Sequence, residues 1–214
     1  MEFNEKNLEI LTVNYNTPDY IINQYKSIRK FLGNKFIINV VDNSDHKIKK
    51  RGKKIIDLNK DLYNISVEDN NFKIFKIGKN LHHGPGMDYG INNIKSDYIL
   101  ILDSDVKFKK PNFLKDCSKK YIEGFNCIGL SITVDKTGHN TNGKGIKYIH
   151  PSIMILNRKE YHKIEANFIR HGAPCIEYMN KVKKEKLINF NNIKEYFDYS
   201  YRGTIKYYGL SLKG

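Results

Sequence analysis

The chain has 214 residues, 40% hydrophobic and 12% aromatic, and its 37 Lys and Arg against 23 Asp and Glu give a formal net charge of +14. This composition excludes a disordered chain and suits one sizeable domain, two full ones being a squeeze. No apolar run approaches the roughly 20 residues needed to cross a bilayer, and no apolar segment follows Met1 to Lys6, so neither a span nor a secretory leader is expected and a cytoplasmic location is.

Cys117, Cys127 and Cys175 are odd in number and lack metal-ligand spacing, which reads as free thiols in a reducing compartment. The basic balance has two readings. One is a polyanionic partner such as nucleic acid, an anionic membrane or a phosphorylated acceptor, bound through a Lys-rich surface. The other is compositional drift: Lys outnumbers Arg 32 to 5, and fork-like recognition of phosphate prefers Arg.

In chain order, Leu8 to Val13 reads as a strand ending at Asn14-Tyr15-Asn16-Thr17-Pro18. Thr17 suits a helix N-cap with Pro18 in the first turn, and Ile21, Tyr25, Ile28 and Leu32 recur at helical spacing before Gly33 stops the helix. Phe36 to Val41 is a second strand, ending in Asp42-Asn43-Ser44-Asp45, so the opening is a right-handed βαβ unit. The basic stretch from His46 to Lys60 suits a solvated loop with a short helix. Phe72 to Ile77 is a third strand, and His82-His83-Gly84-Pro85-Gly86 is a turn feeding a helix from Met87 to Ile94.

Next comes the apolar run Tyr98 to Leu102, a strand buried on both faces, followed by Asp103-Ser104-Asp105. Alternation along an extended chain puts the two carboxylates on one side, past the carboxyl end of the strand, where open α/β sheets bind ligands. Carboxylates that close together need a cation, and a Mg²⁺-type ion also recruits phosphates, so the pair suggests a metal–diphosphate site. A polar strand end without a ligand is the plainer alternative. The second half carries a helix from Pro111 to Tyr121, a strand from Cys127 to Val134, and a polar loop from Asp135 to Gly145. A strand from Ile146 to Leu156, broken at His150-Pro151, follows, then a helix from Pro174 to Glu185 and an aromatic, irregular tail from Tyr196 to Leu212. No repeat or linker divides the chain.

Taken in order and spacing, Val13-Asn14-Tyr15-Asn16, Val41-Asp42-Asn43-Ser44, the Gly-Pro-Gly at Gly84, Tyr89-Gly90-Ile91 and Asp103-Ser104-Asp105 resemble the inverting family 2-type glycosyltransferases. The resemblance covers Leu8 to Val106 well and the remainder loosely. It implies an α/β fold of the GT-A type: a Rossmann-like, mostly parallel sheet flanked by helices, with a smaller acceptor-side region. Residues 1–214 would form one domain, with 1–106 binding the nucleotide-sugar and 107–214 the acceptor.

The same resemblance implies roles. Asn14, Tyr15 and Asn16 would line the nucleotide pocket with Gly84 and Ser104. Asp42 would accept the uracil N–H, a donor that neutral cytosine lacks, although Asp also suits a turn before Asn43-Ser44. Asp103 would face the ribose or a metal-bound water and Asp105 would ligate Mn²⁺ or Mg²⁺ on the diphosphate of a UDP-sugar, stabilising the leaving group. Asp88 stands where many members have Asn, and would contact the donor sugar or cap a turn. His82 and His83 border the same site or are simply solvated. Glu177, in Gly172-Ala173-Pro174-Cys175-Ile176-Glu177-Tyr178, matches the family's base at a helix start, with Asp135 as runner-up; first-turn Glu also suits the helix dipole. The family's C-terminal His ligand is missing, so Asp198 would replace it as an oxygen ligand or Arg202 would neutralise the diphosphate. His150-Pro151 and Arg170-His171 would border a hydroxylated acceptor, a glycan more readily than DNA. The alternatives are the same chemistry on modified bases and a non-catalytic nucleotide-binding module.

Overall fold

The computed structural model describes residues 1–44, 49–50, 53–54, 59–169 and 173–199. The expectations on Arg170, His171, Arg202 and most of the basic stretch lie outside them. The elements run β1 (Leu8–Asn14), α1 (Pro18–Leu32), β2 (Ile38–Asp42), a two-rung hairpin β3 (Lys49–Lys50) and β4 (Lys53–Lys54), α2 (Lys60–Glu68), β5 (Phe72–Lys76), α3 (His83–Asn93) and β6 (Tyr98–Leu102). The second half adds β7 (Lys107–Phe108), α4 (Phe113–Ser118), β8 (Cys127–Val134), β9 (Ile146–Asn157), α5 (Arg158–Tyr161), α6 (Ile176–Lys181), β10 (Leu187–Asn189), α7 (Ile193–Tyr196) and β11 (Phe197–Asp198).

Among the described residues seven strands form one sheet, ordered β10-β8-β9-β6-β1-β2-β5. β1, β2, β5 and β6 are mutually parallel, and β9 runs antiparallel to both β6 and β8. The expected α/β, mostly parallel architecture is therefore observed. Period-two alternation divides the core. Tyr98, Leu100 and Leu102 of β6 face the layer of α1, α2, α4 and α7, and Ile99 and Ile101 face α3, α5 and α6. With both faces covered, β1, β2 and β6 are buried along their whole length, the unbroken apolar run of β6 included.

The structure departs from the sequence-based elements in three places. The Gly-Pro-Gly turn is instead the first turn of α3, where Pro85 lacks only an amide that has no helical partner. α3 lies so close to β1 that a methyl on Gly90 would sit 2.3 Å from Leu11 Cδ1. The helix expected from Pro174 to Glu185 is one short helix, a 3₁₀ turn and then β10, which joins the sheet beside β8. Finally, β9 runs through His150-Pro151 by bulging. Ser131 faces Ile149 and Gly129 faces Met154, so β9 advances five residues (149 to 154) while β8 passes two (129 to 131).

Candidate active site

The site lies at the carboxyl ends of β1, β2 and β6. Asn14 ends β1 fully buried. Its amide donates to Asp42 Oδ1 (3.0 Å) and Ser44 Oγ (3.2 Å), and its carbonyl oxygen accepts from the Thr17 N–H (3.0 Å) and hydroxyl (3.2 Å). Asn16, at φ 57°, adopts the left-handed conformation Asn tolerates, and its N–H donates to Ser44 Oγ at 3.0 Å. Of the three residues expected to line the pocket, Asn14 and Asn16 are buried beneath it and Tyr15 is half-buried.

Asp42 is 3% exposed and takes four donors from its own chain. Oδ1 accepts from Asn14 and the Ser44 N–H (3.1 Å), and Oδ2 from the Tyr63 hydroxyl (2.8 Å) and Asn59 (3.4 Å). A carboxylate has about four lone-pair sites, so the acceptor expected for uracil is saturated in this state. Burial, followed by Asp42, pushes the Tyr63 phenol up to about 12, and Lys76 Nζ lies 3.8 Å over its ring. Tyr63 was invisible as a site residue, since a polar edge on a half-apolar helix carries no signal of its partner.

At the end of β6 the strand alternation stops. The Val106 N–H donates to the Asp103 carbonyl (3.1 Å), closing a β-turn over Asp103-Ser104-Asp105-Val106, so the turn and not the pleat sets the carboxylates. Gln24 of α1, 1% exposed, donates to the carbonyls of Asp103 (2.7 Å) and Val106 (3.1 Å) and fixes both ends of that turn. The sequence carried a signal for it: Gln24 is a polar residue on the buried Ile21–Ile28 stripe. Thr17 Oγ1 lies 3.4 Å from Ser104 Oγ. Asp105 faces α1, where burial and then its charge raise the Tyr20 phenol.

Asp103 faces α3, with Oδ1 3.2 Å from His83 Nε2. Burial pushes the Asp103 carboxyl up, but His83 and, further off, His150 together hold it below its ordinary value. Burial likewise pushes His83 down, and Asp103 outweighs it. His82, preceding α3, sits at φ 68°, ψ 173°, a conformation that costs a non-glycine residue about 1–3 kcal/mol. It is held there by Asn80 Oδ1 on its N–H (2.7 Å) and by the Asn43 amide on its carbonyl (2.9 Å).

Gly84 and Asp88, one turn apart on α3, grip the second half. A methyl on Gly84 would lie 1.9 Å from the Ile169 carbonyl oxygen, so this glycine is required by close packing. Asp88 accepts from the Tyr161 hydroxyl (2.6 Å) and the Phe168 N–H (2.8 Å). Both carboxylate oxygens are thus spoken for inside the chain, and burial pushes the carboxyl up.

The remaining candidates are spread out. Glu177 is exposed and lines a cavity of about 430 Å³ with Asn92, Tyr161, His162 and Glu165. Asn92 is nine residues along α3 from His83, about 13 Å of helix axis, so the structure leaves Glu177 outside the Asp103 cleft. Asp135 follows β8 at the same sheet edge as Asp103 and accepts from Thr137 and His139 of its own loop. Asp198, in the β7–β11 ribbon, is 62% exposed and pairs with Lys109 at 3.6 Å. Among the described residues no three His, Cys, Asp or Glu side chains converge as a metal-binding group, so Asp198 does not join Asp103 and Asp105.

Oxygen donors of the kind a hard divalent cation takes are nevertheless present in the turn. Asp103 Oδ1 is buried without an aligned hydrogen bond, and Asp105 adds a second carboxylate two residues on. Oxygen donors few in number leave coordination positions for phosphate and water, the pattern of Mg²⁺-type sites.

Comparison with known proteins decides the lineage of this arrangement. The model of the glycosyl transferase family 2 matches residues 9–189. The chain belongs to that family. None of the curated proteins compared with this chain matches it. Solved structures do. The mannosyltransferase PcManGT from Pyrobaculum calidifontis, in complex with GDP-Man and Mn²⁺, is 11% identical over 87% of this chain and 55% of its own, with a TM-score of 0.63. S. aureus TarS 1-349 with UDP-GlcNAc is 15% identical over 92% and 59%, TM-score 0.62. GalNAc-T7 with UDP, GalNAc and Mn²⁺ is 10% identical over 80% and 39%, TM-score 0.58. These likenesses establish a GT-A-like fold, and the family 2 chain spans little more than half of the first two.

Proposed function

We propose that the chain is a metal-dependent, inverting glycosyltransferase that moves a sugar from a UDP-sugar to a hydroxyl acceptor. The observation carrying this is the Asp103–Val106 turn, pinned by Gln24 beside the Asn14–Asp42–Ser44 network at the carboxyl edge of the parallel strands. The carboxylates of Asp103 and Asp105 would hold Mn²⁺ or Mg²⁺, and His83 helps hold the Asp103 carboxyl below its ordinary value. The bound ion supplies Lewis-acid stabilisation of charge on the departing diphosphate. Tyr15 offers the nucleobase an aromatic face. Uridine is favoured because two of the three similar structures described above hold uridine nucleotides; guanine also presents an N–H to a carboxylate, so a panel of UDP- and GDP-sugars is the right test. With Mn²⁺ present, a UDP-sugar should raise the melting temperature and release UDP, and Asp105→Ala should lose both effects. Stabilisation by GDP-sugars alone would reassign the base.

Inversion needs a proton acceptor on the face of the sugar away from the diphosphate, typically worth about 10²- to 10⁴-fold in rate. Asp135 takes this role in our reading, since it follows β8 at the end of the sheet where β6 runs into Asp103, while Glu177 lines the cavity with Asn92 further along α3. Asp135→Asn should cut transfer about 100-fold or more with donor binding intact, and Glu177→Gln should retain transfer. The opposite pattern would restore Glu177 as the base.

A further inference from the structure

The β9 bulge brings to the end of β6 a side chain that the reading above leaves unused. Ser152, inside the bulge, accepts the Asp103 N–H on its carbonyl at 2.9 Å, which ties the bulge to the carboxylate turn. Two residues earlier, His150 is half-buried, and Asp103 and His83 are the charged groups whose fields reach it. Bulges beside active sites commonly re-aim a side chain.

The ring of His150 is locked by one nitrogen. The backbone N–H of Ser152 donates to Nδ1 at 3.2 Å, and the Ser152 hydroxyl lies 2.8 Å from the same atom. A backbone N–H can only donate, so Nδ1 is the unprotonated nitrogen and the ring proton of the neutral imidazole is on Nε2. Among the described residues Nε2 makes no hydrogen bond. Burial pushes this imidazole below its ordinary value, more than Asp103 pulls it up, so the neutral form prevails near pH 7.

We infer that His150 is a substrate-binding residue whose fixed Nε2–H donates a hydrogen bond to an oxygen of the bound nucleotide-sugar beside Asp103. A neutral donor next to a carboxylate acceptor forms a pair that a sugar hydroxyl can satisfy on both sides, whereas a phosphoryl oxygen can use the donor alone. The locked tautomer also excludes His150 as the proton-accepting base, since its exposed nitrogen already carries the proton. The ligand half of this inference rests on the nucleotide-sugar reading; the tautomer half does not.

Two measurements test it. Long-range ¹H–¹⁵N spectra of the histidine-labelled, ligand-free protein, with His150→Gln identifying its signal, should show the Nε2–H tautomer above neutral pH. Calorimetric titration with UDP and with UDP-GlcNAc, each with Mn²⁺, should show His150→Ala weakening the nucleotide-sugar about tenfold, and His150→Gln, which keeps an N–H donor, staying near wild type. Equal loss for both ligands assigns the acceptor to the nucleotide; loss for UDP-GlcNAc alone assigns it to a sugar hydroxyl. An Nδ1–H tautomer, or His150→Ala binding like wild type, overturns the inference. A wild-type protein that binds neither ligand overturns the function reading and the ligand half with it, and the spectra still decide the tautomer.

Discussion

Tyr63 completes the set of donors around Asp42. Its hydroxyl, 2.8 Å from Oδ2, supplies one of four donors to a carboxylate that is almost wholly buried. Removing one donor from a buried charge costs about 1–3 kcal/mol, which in a domain of this size is about 2–4 °C of melting temperature per kcal/mol. Tyr63→Phe should therefore melt earlier without ligand. If the base reaches Asp42, UDP should stabilise the variant more than it stabilises wild type, because the ligand now fills a vacant acceptor. An equal or smaller ligand shift, read in the same thermal scan, would show that Asp42 organises the pocket floor only. Residues of this kind are the ones a linear reading handles least well. Asp42, Asp88 and Asn14 were picked out as ligand contacts by type and position, and the partners the fold gives them include Tyr63, Tyr161, Phe168 and Ser44, which lie 21 to 80 residues away.

At the scale of elements, the apolar periods of β1, α1, β2, β5, α3 and β6 were legible because each is long enough, or buried enough, for packing to impose its period. The β7–β11 ribbon and β10 are two or three residues a side, too short for any period, and are held by neighbours. The Asp103–Val106 turn was missed for a related reason: strand alternation was carried past the last rung, where Gln24 and a turn hydrogen bond take over. Asp69, just past α2, ties that helix to α1 by accepting from Tyr25 (2.9 Å) and Arg29 (2.9 Å). Burial pushes its carboxyl up, but the Asn71 N–H, Tyr25 and Arg29 together leave it below the ordinary value. A carboxyl depressed in the folded state stabilises the fold above its unfolded pKa, near 3.9, and that contribution is lost as pH falls through the folded value. Asp69→Asn should accordingly be less stable than wild type at pH 7, with the gap closing as the pH drops below about 4 in urea melts. A gap that stays constant with pH would mean the links act without charge.

For the whole molecule, family membership and the seven-stranded sheet agree with the α/β reading. The net charge is +14, and in the Lys-rich stretch near residue 50 Lys49–Lys50 pairs with Lys53–Lys54 as a hairpin. A glycan acceptor predicts filter binding to duplex DNA that is weak and nearly flat between two salt concentrations; a steep fall with salt would favour the nucleic-acid alternative.

The reversed strand β9 has a mechanical consequence. It is paired to β6 over five rungs, Tyr98 with Asn157 through Leu102 with Ile153, and to β8 on its other side. The halves that meet at the cleft are thus two parts of one continuous backbone lattice, with no swivel between them. Rigid-body clamping of one half on the other would tear those rungs, and the Asp103 N–H to Ser152 carbonyl bond ties the carboxylate turn to the β9 bulge as one further link of the same lattice.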